Sequence, residues 1–275
     1  MLRVLEAFRP LFPETRIGEL CGLPGEVYKR IQNRRTFRIE RGGEGFFVKC
    51  HQGVGWREIL KNLLSLKLPV LGAGNEWRAI HRLGELGVET MQPVAFGQEG
   101  WNPAGLRSVL VTRELRDCIS LERYCADWRE QPPAVAIKRR LIARVAAIAR
   151  NLHDNGVNHR DFYICHFLLQ QPWDGGTAGL HLYLIDLHRV QRRRRTPRRW
   201  QIKDLGSLYF SALDIGLTRR DLYRFLRGYA GLSLRQALIR HEGLWRQVQS
   251  RAAALYVKAH RRQPVFPVGG LDLPE

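Results

Sequence analysis

The 275 residues carry a formal net charge of +19, and 44% of them are hydrophobic. That composition excludes a disordered chain and leaves room for one large domain or two lobes. No run of about 18 apolar residues occurs, so no transmembrane helix is expected, and the N-terminus "MLRVLEAFRP" lacks the apolar stretch of a signal peptide. The positive field favours a polyanion: nucleic acid, an anionic membrane face or a phosphorylated substrate. Zinc-finger spacing, RNP-type aromatic strands and basic heptad helices are all missing, so no nucleic-acid partner is expected. Cysteines stand at 21, 50, 118, 125 and 165. Their odd number and the lack of a C-x-x-C pair predict free thiols in a reducing compartment.

In chain order, "GEVYKRIQ" and "RTFRIE" alternate apolar and polar residues and predict two strands. Asn33-Arg34-Arg35 is the turn between them. The glycine-rich "RGGEG" turns the chain into a third strand, "FFVKC", which closes on Lys49. Residues 56–68 form an apolar and basic segment, read either as packing on the N-terminal lobe or as a membrane-touching amphipathic helix. "NEWRAIHRLGELG" predicts a helix with Asn75 as N-cap and Gly87 as stop. A strand follows at 107–113. Ile137, Leu141, Val145, Ile148 and Leu152 recur at helical spacing. "LHLYLIDLH" reads as a buried strand holding an aspartate. Residues 203–260 are helical, with breaks near Gly216 and Gly231. The order places a strand-rich lobe before a helical one, with the boundary near residue 115.

The run "NHRDFYICHFLL" carries the strongest chemical signal. Asp161 follows an Arg in a loop between helix and strand, and Asp186 closes the apolar strand 25 residues later. Phosphoryl transfer needs such a pair. One acid orients the attacking hydroxyl and the other anchors the metal that neutralises the phosphates. A carboxylate at the mouth of an apolar strand is costly without a cation or donors. Lys49 closes another apolar strand and needs a counter-ion. Glu76 shares a helix face with Ile80 and Leu83 and supplies it. Lys, Glu, His-Arg-Asp and then Asp is the order of protein kinases.

The chain from about residue 25 to 226 resembles the lipopolysaccharide core heptose(I) kinase family. The residues that carry the likeness are "GEVYKRIQNRRTFRIE", "FFVKCHQGVGWREILKNLLSLKLPVLGAGNEWRAI", "GVNHRDFYICHFLL", "LIDLHRVQ" and "KDLGSLYFSALDIGLTRRDLYRFL". The resemblance implies an α+β, protein-kinase-like bilobal fold. Residues 1–115 would be the ATP-binding lobe and 116–275 the catalytic and acceptor-binding lobe. It also implies a cytoplasmic enzyme, peripheral to the inner membrane, that uses ATP and Mg²⁺ to phosphorylate the 4-hydroxyl of the first heptose of the lipopolysaccharide core. Asp161 resembles the catalytic acid, His159 and Arg160 its neighbours, and Asp204 the helix acid that braces the loop. Lys49 and Glu76 resemble the nucleotide-binding pair. Asp186 resembles the metal-binding acid, and His166 stands where protein kinases place a metal-binding Asn.

The phosphate cover departs from the protein-kinase pattern. There is no G-x-G-x-x-G loop, and Arg34 and Arg35 take its place as phosphate ligands through their guanidinium forks. No A-P-E element is visible. The run "RRRRTPRR" places Arg192, Arg193, Arg194, Arg195, Arg198 and Arg199 just after Asp186. It is either a solvated face or the holder of phosphates on the lipid A-core glycolipid acceptor. The charge also suits an acidic protein partner such as an acyl carrier protein. The competing readings are a protein kinase, for example one acting on tyrosine, and a non-catalytic kinase-like module that binds polyanions.

Overall fold

The computed structural model describes residues 2–31, 33–53, 55–56 and 72–267. The chain divides into two compact units. One comprises Met1–Glu85, Thr90–Arg116 and Leu187–Arg189, and the other Leu86–Glu89, Asp117–Asp186 and Val190–Glu275.

The first unit is built on a six-stranded antiparallel sheet. Its strands are β1 (Leu2–Val4), β2 (Glu26–Ile31), β3 (Arg34–Arg41), β4 (Glu44–Gln52), β5 (Pro93–Glu99) and β6 (Arg107–Arg113), in the order β1-β5-β6-β4-β3-β2. Gly42 and Gly43, both at positive φ, make the tight turn from β3 to β4. Alternation along each strand gives the sheet two different faces. One carries Phe37, Ile39, Phe46, Val48, Val109 and Val111, which form a core with Phe8, Phe12 and helix α1 (Ile17–Gly22). The other face carries Lys49, and helix α2 (Gly74–Glu85) belongs to the same unit.

Three expectations change here. Arg34 and Arg35 open strand β3 instead of forming a turn, because the pairing runs up to Arg34↔His51. Helix α2 begins at Gly74, so Asn75 lies inside its first turn, and its side-chain amide donates to the His188 carbonyl at 3.0 Å. Cys21 and Cys50 form a disulfide with a Cα–Cα distance of 5.9 Å, while Cys118, Cys125 and Cys165 are free. The pair forms because α1 packs on the inner face of the sheet, where Cys50 points. Counting cysteines along the chain could not reveal that proximity, and cysteine usage no longer argues for a reducing compartment. Of the segment at 56–68, residues 57–68 lie outside the described residues.

The second unit is mainly helical. After β7 (Cys118–Ser120) and α3 (Leu121–Tyr124) comes the long α4 (Val135–Asp154), whose buried Leu141, Val145, Ile148 and Leu152 follow the predicted periodicity. Two small sheets hold the catalytic segment. One pairs β8 (Val157–Asn158) with β11 (Gln191–Arg192), and the other orders β10 (Leu182–Leu184), β9 (Phe167–Gln170) and β7. Helices α5 (Arg198–Ser211), α6 (Arg219–Ala230) and α7 (Leu234–His260) complete the unit. Thr218 and Asp221 cap α6 reciprocally, and Gly231 ends it in the left-handed conformation. No helix among the described residues is long and apolar enough to cross a membrane.

Candidate active site

In the first unit, Lys49 Nζ donates to Glu76 Oε1 at 2.5 Å. Lys49 sits in the centre of β4, paired with Thr36 and Leu110, so its ammonium leaves the sheet on the side away from the disulfide. Glu76 is only 1% exposed. A buried carboxylate of this kind is tolerated because the cation meets it. Directly opposed residues of an antiparallel pair share a face. Arg34 opposes His51 and therefore shares the face of Lys49. Arg35 opposes Cys50 and belongs to the other face, where its guanidinium lies 4.1 Å over Phe37 and donates to the Cys21 carbonyl at 3.4 Å. The structure thus brings Arg34 to the side of Lys49 and does not bring Arg35 there. His51 is buried beside Lys49. Burial first, and then the charges of Arg34, Lys49 and His188, lower its pKa to about 3, so the ring is neutral at pH 7.

In the second unit, the loop after β8 is tied down from behind. Asp204, on α5 and 1% exposed, accepts the backbone N–H of His159 at 2.6 Å and of Arg160 at 2.8 Å. His153 Nε2 lies 3.5 Å from the same carboxylate. Two backbone donors pointed at one carboxylate fix the turn that presents Asp161. Arg160 has φ +76° and Asp186 φ +61°, left-handed conformations that non-glycine residues seldom adopt. Such strain is retained where surrounding bonds over-determine the backbone, as they do here. The fully buried His159 donates from Nε2 to the Ile185 carbonyl at 2.9 Å, which links the loop to the segment carrying Asp186. Burial lowers its pKa, so this ring is a neutral structural strut.

His166 joins the two acids. Its Nδ1 lies 2.6 Å from the Asp161 carbonyl oxygen, which can only accept, so Nδ1 carries the proton. Nε2 then faces Asp186 Oδ2 at 3.5 Å. Burial opposes the charged ring, but bonds to Cys165 and to the Asp161 carbonyl, with the Asp186 charge, outweigh it and raise the pKa to about 9. A tautomer fixed at Nδ1–H leaves Nε2 as the atom a metal would take. Among the described residues no group of three or more His, Cys, Asp and Glu could hold a metal. One carboxylate with one further protein donor nevertheless fits Mg²⁺, which keeps waters and takes most of its shell from substrate phosphates.

The arginine run divides. Arg192, Arg194, Arg195 and Arg198 are exposed. Arg199 is exposed as well and Arg193 is half-buried, and both converge with Arg160 on the indole of Trp200. Sequence reasoning passed over Trp200 because a single aromatic beside a charge run has no periodicity to flag it.

Residues 19–229 match the lipopolysaccharide kinase (Kdo/WaaP) family. The chain belongs to that family. Its fold is α+β and protein-kinase-like, and the protein is a phosphotransferase. Relatives named lipopolysaccharide core heptose(I) kinase WaaP are similar to it over most of their length. The one from Escherichia coli is 49% identical over 95% of this chain and 99% of its own. The one from Pseudomonas aeruginosa is 52% identical over 87% of this chain and 89% of its own. A solved structure described as WaaP in complex with acyl carrier protein has a TM-score of 0.79 and 44% identity, covering 93% of this chain and 99% of that one.

Proposed function

We propose that the protein transfers the terminal phosphoryl group of ATP to the first heptose of the lipopolysaccharide inner core, at its 4-hydroxyl. The observation that carries the reading is identity of about one half, over nearly the whole chain, to relatives bearing that activity in their names. Residues 1–115 serve as the nucleotide-binding lobe. Lys49, held by Glu76, contacts the phosphates, and Arg34 shares their side of the sheet. Residues 116–275 serve the acceptor. Asp161 orients the heptose hydroxyl and accepts its proton, while Asp204, His159 and Arg160 hold the loop in place. Asp186 and His166 are the protein ligands of Mg²⁺, which supplies charge neutralisation on the phosphates when bound. The enzyme works on the cytoplasmic face of the inner membrane. Its positive charge draws it to an anionic leaflet and an anionic glycolipid.

The same reading includes an acyl carrier protein partner. The helical unit holds a cavity of about 120 Å³ with an almost wholly apolar lining, including Leu141, Val145, Leu208, Phe225 and Trp245. An acyl chain suits such a lining, and an acidic carrier suits the net charge of +19. Co-purification with stoichiometric acylated carrier supports this part, and a homogeneous, active protein free of any carrier contradicts it.

The test of the activity is the mass of core oligosaccharide from cells lacking the protein. Loss of one phosphate on the first heptose is expected. An unchanged core, or transfer by the purified protein to peptides but not to core glycolipid, contradicts the assignment.

A further inference from the structure

Trp101 is 97% exposed and Trp56 is 55% exposed. The other tryptophans among the described residues are buried or half-buried. An indole left in water forgoes the burial of about 150–250 Å² of surface. Such exposure marks an interaction surface when apolar groups gather on one patch.

Both tryptophans stand at the same end of the six-stranded sheet. The register fixes this: Ile31 pairs with Arg34, Arg34 with His51, and Gln52 with Arg107, which pairs in turn with Glu99. The turn after β2, the exit from β4 and the β5–β6 turn therefore lie in a row about 20 Å long at the usual strand spacing. Close contacts join these turns. Asn33 Nδ2 donates to the Gly53 carbonyl at 2.7 Å, and the Gln52 N–H donates to the Asn33 carbonyl at 2.8 Å. Gly53 has φ +73°, and a Cβ there would come within 2.5 Å of the Ala104 carbonyl oxygen. Only glycine lets the β4 exit lie against the β5–β6 turn. Trp56 follows three residues later. The β5–β6 turn is itself bonded. Asn102 Oδ1 accepts the Ala104 N–H at 2.9 Å, and the Asn102 carbonyl accepts the Gly105 N–H at 3.0 Å. Trp101 is thus held out in water by an ordered turn.

The same end is basic. Arg30 and Ile31 are exposed, Arg34 is half-buried, and the exposed Arg107 meets Glu99 at 3.1 Å. Across residues 30–34, 51–56 and 99–107, Glu99 is the one acid set against Arg30, Arg34 and Arg107.

We propose that this end of the sheet, with Trp101 and Trp56 as its anchors, is the surface that seats the protein on an anionic lipid bilayer. The proposal rests on the reading above that the acceptor is a membrane glycolipid. Indoles favour the headgroup level of a bilayer, where the ring leaves water and its N–H stays hydrated. Arginines beside them add attraction to anionic lipids. A protein partner would need pockets shaped to take each indole, whereas a fluid interface receives rings on protruding turns without one.

The experiment is co-sedimentation of the intact protein with vesicles of equal parts phosphatidylethanolamine and phosphatidylglycerol, free of core glycolipid. Trp101→Ser is expected to weaken binding about tenfold, and the addition of Trp56→Ser to weaken it further. Trp101→Phe keeps an apolar ring and is expected to bind nearly as the wild type does. Brominated lipid in the same vesicles should quench tryptophan fluorescence in the wild type and quench it less in Trp101→Phe. Because Trp101 is exposed, its variants should keep the wild-type unfolding temperature and the wild-type rate of transfer to lipid-free core oligosaccharide. Undiminished binding by the double serine variant, or no binding of the wild type to these vesicles, overturns the proposal. Absence of bromine quenching does so as well. Self-association that Trp101→Ser abolishes, read by light scattering, also overturns it, since a second copy would then cover the surface. Vesicle binding through the tryptophans by a protein that transfers no phosphate to heptose would support this surface while removing the kinase assignment.

Discussion

His166 Nδ1 donates to the Asp161 carbonyl at 2.6 Å, and the opposite nitrogen of the same ring faces Asp186 at 3.5 Å. One imidazole thus sets the backbone of the acid assigned to the acceptor and completes the side of the acid assigned to the metal. His166→Ala removes both contacts. The magnesium concentration for half-maximal activity should rise about 10- to 100-fold, the usual cost of losing such a metal-site partner. A magnesium titration with unaltered midpoint would place His166 outside the metal site.

Asp204 is a positioning residue whose effect passes through the backbone of His159 and Arg160. Asp204→Asn retains one acceptor oxygen but turns amide hydrogens toward one of the two N–H donors. Stability should fall by about 1–3 kcal/mol, the cost of a buried unsatisfied donor. Turnover should drop while the KM for ATP stays constant, because the loop moves and the Lys49–Glu76 pair does not. Denaturant midpoints and steady-state kinetics separate these effects, and an unaffected turnover would contradict the role.

The Lys49–Glu76 pair should be felt as nucleotide affinity. Lys49→Met removes a donor to the phosphates and should lower kcat/KM for ATP by about 10²–10³-fold. Glu76→Gln keeps the shape but loses the charge that aims the ammonium, so its effect should be smaller and of the same kind. Equal activity of both variants with wild type would remove the pair from the nucleotide site.

His51 makes stability depend on pH. Its folded pKa is about 3, against an ordinary 6.5, because burial first and then the neighbouring Arg34, Lys49 and His188 disfavour the charged ring. Below pH 6.5 the unfolded chain takes up a proton that the folded one refuses, so stability falls as pH drops from 6.5 toward 3. His51→Gln should flatten that part of the stability–pH curve by an amount on the order of a few kcal/mol. Thermal unfolding of both proteins between pH 7 and 4 reads the difference, and parallel curves would contradict it.

Periodicity and local motifs made much of this fold legible. The meander ending at Lys49, the helix around Glu76, the strand at 107–113 and the long helix before Asp161 all emerge from residues spaced at two or at three to four. What stayed hidden depends on contacts between distant segments. The Cys21–Cys50 bond, the buried position of Arg35 over Phe37 and the convergence of four cations on Trp200 arise only when strands and helices pack. Strand β1 and helix α1 are too short for a period to be counted. The face assignment of Arg34 and Arg35 needed the pairing register, since a turn and a strand start place those side chains differently.

The central claim is that Asp161 activates a heptose hydroxyl toward ATP. Transfer of labelled phosphate from ATP to purified core glycolipid tests it most directly, with wild-type protein beside Asp161→Asn. The account predicts a loss of about 10²–10⁴-fold on removing the proton acceptor, with unfolding and ATP affinity unchanged. Transfer at the wild-type rate by the variant would contradict it.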